Sequence, residues 1–330
     1  MTIICNNRIV CGIDVASCEL VCRISVDNKV RCHENSRRGC MRLLKELQKF
    51  EVNLVILEHT GRHERLLLGE LWSHNIAVHC AHPKAVHNFA KALRFNAKSD
   101  PIDAGILMEY GLKMNLSPTA RPAQEILDLQ EFTSRREELN ETLVQEKNRL
   151  NTPQLPLWKQ RSINNHIRYL QRELKSIEAE MKKLTHSHES LSKPIDCLNS
   201  EYGMGFIASA TLYAHLPELG TINRQRVAAL AGLAPFIRNS GKFQGQAKIY
   251  GGRTAARCAL YMPALTVIRK KDHPMRHLYL RMKKANKPTN EALTAVMRKL
   301  LVRLNTNIKN LLASSARINQ LNNDLSVIYT

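Results

Sequence analysis

Aromatic residues make up 5% of this 330-residue chain, and no stretch of 18 or more apolar residues occurs. A membrane-spanning helix needs about 20 consecutive apolar residues, so none is expected. The opening "MTIICNNRIVCG" lacks a charged region followed by a long apolar one, so no secretory signal is expected either. None of the nine cysteines, at positions 5, 11, 18, 22, 32, 40, 80, 197 and 258, form a C-x-x-C, and their number is odd. That usage suits reduced thiols in a cytoplasmic protein better than disulfides or a zinc site. The first 120 residues contain no glycine-rich phosphate loop, which counts against an actin-like ATPase or a sugar kinase. Acidic residues are scarce in one region. Residues 231–310 hold seventeen Lys and Arg against Asp272 and Glu291, so they contribute +15 of the net +20. Solubilising charge is normally mixed in sign, whereas a one-signed field of this size attracts polyanions.

What is present divides the chain into three parts. In residues 1–121, "RIVCGIDVA", "LVCRISV" and "KVRCHE" are short β-rich runs split by polar turns, which predicts an antiparallel meander. A helix over 40–50, a buried strand "NLVILE", a helix over 62–74, a strand "IAVHCA" and a helix over 83–93 follow. Strands first, then strands alternating with helices, predict an α/β domain with helices on a mixed sheet. Residues 122–191 change character, with no glycine from 123 to 187. Ile163, Ile167, Leu170, Leu174, Ile177, Met181 and Leu184 alternate steps of four and three, an a/d seam. Ile126, Leu129, Leu139, Leu143 and Leu150 supply a facing helix, and Pro153 and Pro156 break the chain between them. A coiled-coil hairpin is expected, packed on itself or serving as an oligomerisation arm, with an oligomer favoured. Residues 192–330 read as a mostly α-helical domain. Gly203 and Gly205 precede a small-residue helix, as a plain turn or a phosphate-approaching one. "NSGKFQGQAKIYGG" reads as a polar loop, two basic amphipathic helices follow, and the last dozen residues are polar enough to fray.

Four carboxylates stand out. Asp14 and Glu58 end two apolar runs, and Asp100 and Asp103 lie three apart in "SDPID". Asp100 is suited to cap a helix starting at Pro101, which places Asp103 in the first turn. Each acid alone has an ordinary explanation as a cap or a strand-end ion-pair partner. Together they could converge, and convergent carboxylates repel unless a cation lies between them. A hard divalent ion, Mg²⁺ first, suits an all-oxygen set and phosphate chemistry. Ser240, in "FIRNSGKFQG", is flanked by Arg238 and Lys242. It is a nucleophile candidate only if activated, and otherwise a turn serine in a phosphate-binding loop. His59, His63, His79, His82 and His87 show no ligand spacing, and Trp72 and Trp158 read as packing residues.

The order "GIDVAS", "LEHTG", "KSDPIDA", a long helical middle, "VAALAGLAPF", "SG" and "GGRTAARCALYMPAL" resembles the IS one-ten family of insertion-sequence recombinases, the group that includes the Piv and MooV site-specific DNA invertases. The resemblance runs from about residue 8 to residue 304. It implies an RNase H-like (RuvC-like) N-terminal domain whose Asp14, Glu58, Asp100 and Asp103 bind Mg²⁺. It also implies a C-terminal transposase domain whose Ser240 forms a covalent phosphoserine with DNA. Dimers or tetramers, in which the carboxylates of one subunit meet the serine of another, and a noncoding bridge RNA are further implications. Two departures stand out: "YGMG" replaces the usual "PGIG", and "KIYGG" follows the serine loop. In this reading Arg238, Lys242, Lys248, Arg253 and Arg257 hold backbone phosphates of DNA or RNA in a cytoplasmic, nucleoid-associated enzyme. A RuvC-like nuclease or junction resolvase using water, and a non-catalytic nucleic-acid-binding protein, remain open.

Overall fold

The computed structural model describes residues 8–59, 61–94, 99–236, 239–240, 243–244 and 248–328, with the backbone alone for 239–240, 243–244 and 318–328. The chain divides into two compact units, Met1–Arg121 and Pro122–Thr330.

The first unit is built on one sheet. β1 (Val10–Val15), β2 (Glu19–Ile24) and β3 (Val30–Glu34) form the expected meander. After α1 (Arg37–Lys49), β4 (Leu54–Glu58) lies parallel to β1, and after α2 (Arg65–Ser73), β5 (Val78–Ala81) lies parallel to β4. The strand order is β3-β2-β1-β4-β5. Alternation along the central strands sorts their side chains onto two faces. Cys11, Ile13, Leu20, Cys22, Val55 and Leu57 pack with Leu43, Leu47, Leu67 and Leu71 of α1 and α2. Val10, Leu54 and Ile56 pack on the other face with Val86 of α3 (Pro83–Ala92) and with Ile106, Leu107 and Tyr110 of α4 (Asp100–Lys113).

Gly12 sets how closely α4 approaches. A methyl group placed there would stand 2.2 Å from the Ala104 carbonyl oxygen and 2.3 Å from the Met108 amide nitrogen. Only a residue without a side chain lets helix backbone lie on strand backbone at this range. Further along the helix, Gly111 faces Val10 and Ile56, so α4 runs antiparallel to β1. Its N-terminus therefore lies at the carboxyl end of β1.

The second unit is helical. α5 (Gln124–Leu150) and α6 (Leu157–Ser187) are joined by the proline-bearing turn. Leu139 and Leu143 meet Ile163, Ile167 and Leu170. Ile126, Leu129 and Met181 join Leu191 and Ile195 of α7 (Glu189–Asn199) and Ala210 and Ala214 of α8 (Phe206–His215). The seam is thus covered inside the chain. Contrary to expectation, the seam leaves no long apolar face for a partner among the described residues, and it gives no support to an oligomer. Trp158 also departs from expectation: it is 72% exposed at the hairpin turn, whereas Trp72 donates its indole N–H to the Thr119 carbonyl.

α9 (Arg224–Leu230), α10 (Thr254–Ala259), α11 (Tyr261–Arg269), α12 (Pro274–Lys284) and α13 (Thr289–Ile328) close the unit. Leu293, Val296, Met297, Leu300, Leu301, Leu304 and Ile308 are buried at helical spacing along α13. The Gly203 turn is a packing turn: its φ is +90°, and a methyl group there would press on Val267 at 2.9 Å. The segment read as a loop carries three two-residue strands, and a fourth lies just before it. β6 (Pro235–Phe236) pairs with β9 (Lys248–Ile249), and β7 (Asn239–Ser240) pairs with β8 (Phe243–Gln244).

Candidate active site

β1 and β4 run parallel with Ile13 beside Leu57, so Asp14 and Glu58 come next on both strands. Both have the parity of Gly12 and Ile56, the face that α4 covers. Because α4 is antiparallel to β1, its first turn, with Asp100 and Asp103, lies at the same end of that face. The structure thus brings the four expected acids to one end of one sheet face, from three elements far apart in sequence.

The cap differs from expectation. α4 begins at Asp100, and its N-cap is Ser99, whose carbonyl accepts hydrogen bonds from the amides of Ile102 and Asp103 at 2.8 and 2.9 Å. Asp100 and Asp103 are therefore acids of the first turn, where the positive end of the helix dipole favours them. Asp100 is exposed, while Asp14, Glu58 and Asp103 are half-buried and each has an interaction partner. Among the described residues no group of three or more His, Cys, Asp or Glu side chains is drawn together tightly enough to hold a metal ion. The donor chemistry nonetheless fits a hard cation, since all four expected ligands offer oxygen.

Two nearby polar residues escaped the sequence reading. Arg23, paired with Gly12 across β1 and β2, lies alongside Gly105 of α4, with Nη1 3.4 Å from where a methyl group would stand. Its Nε is buried without a hydrogen-bond partner. The available signal was a cation at a sheet position whose neighbours face inward. Glu64, 6% exposed, accepts from the Arg62 amide at 3.0 Å and lies 3.2 Å from His59 Nδ1. Buried carboxylates are rare unless paired, and nothing in "GRHERL" sets Glu64 apart from an ordinary surface acid.

The serine lies on a small hairpin. Ser240 pairs with Phe243, so it is the last strand residue before the turn. Arg238 and Lys242, and the Ser240 side chain, lie outside the described residues. Two glycine segments press together at the base of this region. A methyl group on Gly252 would stand 2.1 Å from the Gly232 amide nitrogen, and one on Gly232 would stand 2.1 Å from the Gly251 carbonyl oxygen. Gly232 and Gly252 have φ of +66° and +73°. This contact explains physically why "AGLAP" and "GG" occur together.

Arg253 and Arg257 brace the same base. Arg253 makes two hydrogen bonds to Glu218, at 2.6 and 2.7 Å, and a third to the His215 carbonyl at 3.0 Å. Burial pushes the Glu218 carboxyl up, but the hydrogen bonds and charge of Arg253 outweigh it and hold the group below its ordinary value. Arg257 donates to the Gly251 carbonyl at 2.9 Å. Of the five cations expected to hold phosphate, these two are committed to the fold, whereas Lys248 is exposed on β9.

The family models decide the relationship. A transposase model of the DEDD, IS110 type matches residues 11–154, and one described as "Transposase IS116/IS110/IS902 family" matches residues 195–280. The chain belongs to the IS110 family of transposases. As an IS110 member it is a DNA recombinase. It is 26% identical over 299 residues to the pilin gene-inverting protein of Moraxella bovis, covering 88% of this chain and 92% of that protein. The Moraxella lacunata counterpart is 25% identical over the same length. Among solved structures, Thermus thermophilus RuvC bound to a Holliday junction substrate aligns over 34% of this chain and 99% of its own, with 16% identity and a TM-score of 0.27.

Proposed function

We propose that this IS110 chain cuts and rejoins DNA, as transposase or as invertase, through a covalent phosphoserine at Ser240 assisted by the carboxylates Asp14, Glu58, Asp100 and Asp103. The observation that carries the reading is the gathering of those acids at the end of the sheet face beneath the first turn of α4. The strand order β3-β2-β1-β4-β5 supports an RNase H-like domain. A divalent cation such as Mg²⁺ bound by the acids would polarise the phosphodiester. The chain's own part is to hold oxygen donors at fixed strand and helix ends, so that little rearrangement is needed when phosphate arrives.

The Ser240 oxygen forms a bond to phosphorus and gives up its proton. The bond to the leaving strand breaks, and that strand departs as a hydroxyl. One phosphoester replaces another, so resealing by a second strand's hydroxyl requires no nucleoside triphosphate. Lys248, with Arg238 and Lys242, positions backbone phosphate, and such contacts carry no sequence information. Sequence choice therefore falls to a guide, and a structured bridge RNA is the proposed partner. The working assembly is a homodimer or homotetramer in which acids and serine of different copies meet, acting in the cytoplasm at the nucleoid. Among the described residues, no helix is long and apolar enough to cross a membrane.

The test is denaturing capture of labelled DNA on the protein. Wild type with Mg²⁺ should yield an adduct. Ser240→Ala should bind DNA and yield none, and Asp14→Ala should lose both cleavage and adduct. Cleavage with no adduct in wild type would assign the attack to water instead. Sequencing of copurified nucleic acid should return one discrete structured RNA, and its absence from active protein would remove the guide.

A further inference from the structure

We infer that the outward face of α6 is a second DNA-binding surface, one that grips the phosphate backbone of duplex DNA away from the Ser240 hairpin. It rests on the DNA-recombinase reading but not on the serine chemistry. At 100° per residue, Arg161, Asn165, Arg168, Arg172 and Lys175 fall within about 60° of one line. They occupy positions two before those of the buried seam, which places them on the opposite side of the helix. All five are exposed, while Ile163, Ile167 and Leu170 face α5. No acidic residue occurs from 157 to 172, and Glu173, Glu178 and Glu180 lie off the line.

These cations also lack the carboxylate partners that others on the hairpin have. Arg135, Arg136, Arg149 and Lys183 pair with Glu138, Glu178, Glu146 and Glu180. Arg168 donates to Asn165 Oδ1 at 2.7 Å, and Arg161, Arg172 and Lys175 have no acidic partner among the described residues. Leaving like charges side by side on a helix costs a few tenths of a kcal/mol per pair, about 0.2–0.5, so the stripe gains by meeting an anion. Asn165, Arg168, Gln171, Arg172 and Lys175 line an open groove there.

The stripe's shape favours duplex DNA. From Arg161 to Lys175 the cations span roughly 21 Å of rigid helix, against a charge every ~1.7 Å of duplex. Single strands are held by aromatic stacking platforms, and between Arg161 and Lys175 no aromatic residue lies on the line. Tyr169 stands about 80° round the helix from that line and stacks on His166 instead. An A-form duplex is read through 2′-hydroxyls across a shallow groove, which a row of long cationic side chains suits less well.

The experiment titrates full-length protein with random-sequence duplex DNA by fluorescence anisotropy, from about 50 to 200 mM salt. Arg161→Gln, Arg168→Gln, Arg172→Gln and Lys175→Gln combined should make the plot of log affinity against log salt shallower by about 3 to 4, at ~0.9 per phosphate contact. Arg161→Lys, Arg168→Lys and Arg172→Lys combined should restore the slope. An unchanged slope in protein that still forms serine adducts overturns the assignment and leaves the recombinase reading standing. An unchanged slope with a changed assembly mass would make the face a contact between copies, and a loss confined to an RNA duplex would assign it to RNA. Either result overturns the inference.

Discussion

The two units hold their candidate chemistry by different means. In Met1–Arg121 the acids stand near the ends of central strands and in the first turn of a packed helix, and Ile13 and Leu57, next to Asp14 and Glu58 along their strands, are fully buried on the opposite face. In Pro122–Thr330 the serine stands on a two-residue strand, and the same unit has a contact of glycine backbones and an arginine brace at Gly232, Gly252 and Arg253. Sheet positions suit ligands that must share one centre, because strand register sets the relation of Asp14 to Glu58. A short hairpin suits the attacking role proposed for Ser240, which reaches a phosphate and later releases it. Both depend on glycine at one close approach, and that common dependence makes the comparison testable.

The largest stability effects are expected at these approaches. Gly12→Ala forces α4 off β1, and Gly252→Ala combines a 2.1 Å clash with an unfavourable φ of +73°. Each should cost about 3 kcal/mol, the upper end for overpacking. Urea unfolding followed by hydrogen exchange should show Gly12→Ala weakening the sheet amides and Gly252→Ala those of α9 and α10. Equal weakening of both sets by either variant would show that the units do not support their sites separately. Gly12→Ala should also abolish cleavage, because it moves the first turn of α4 relative to Asp14.

An intermediate effect is expected at the brace. Arg253 and Glu218 are both about a third exposed, so solvent screens the pair. Arg253→Met should therefore cost about 1–2 kcal/mol, around the low end for hydrogen bonds to charged groups. Glu218 is held below its ordinary value of 4.5, so its contribution is complete above about that pH and is lost as pH falls through the lower, folded-state value. Stability of wild type should therefore fall on the acid side more steeply than that of Glu218→Gln, as measured by thermal unfolding across the acid range. Parallel curves would mean that the pair contributes nothing. The corresponding change at the exposed pair Lys193 and Glu189, by Lys193→Met, should be close to zero.

The fold was legible where one physical rule acted alone. The five strands followed from apolar runs between turns, and the α5–α6 pair followed from a seam of fours and threes. At "SDPID" two capping residues stand side by side, and proline is tolerated at either of the first two helical positions, so spacing could not separate Ser99 from Asp100. Gly12 passed unremarked within "RIVCGIDVA", because its role depends on Ala104 and Met108, far along the chain. Arg253 and Arg257 read as free cations because Glu218 and the Gly251 carbonyl enter only when the chain folds. The two-residue strands around Ser240 are too short for any period to register. The placement of the four acids at one end of a sheet face was legible because Asp14 and Glu58 lie at or next to strand ends and Asp100 and Asp103 in a helix's first turn, and element ends are what a sheet brings together.

The smallest effect belongs to Trp158, and it sharpens the same contrast between held and unheld residues. Trp72 donates to the Thr119 carbonyl at 3.3 Å within the first unit, while Trp158 is 72% exposed at the start of α6. Large apolar side chains stabilise by leaving water, about 1.5–3 kcal/mol for one fully buried, and Trp158 has scarcely left it. Trp158→Ala should change stability by less than about 0.5 kcal/mol, as for other surface substitutions. Iodide should quench the fluorescence of Trp158 far more than that of Trp72, as read in the variants Trp72→Phe and Trp158→Phe. A loss above 1 kcal/mol, or protection of Trp158 from iodide in free protein, would mean that the hairpin turn is covered by another surface. In that case the charge stripe of α6, which begins three residues further on, would have to be reassigned along with it.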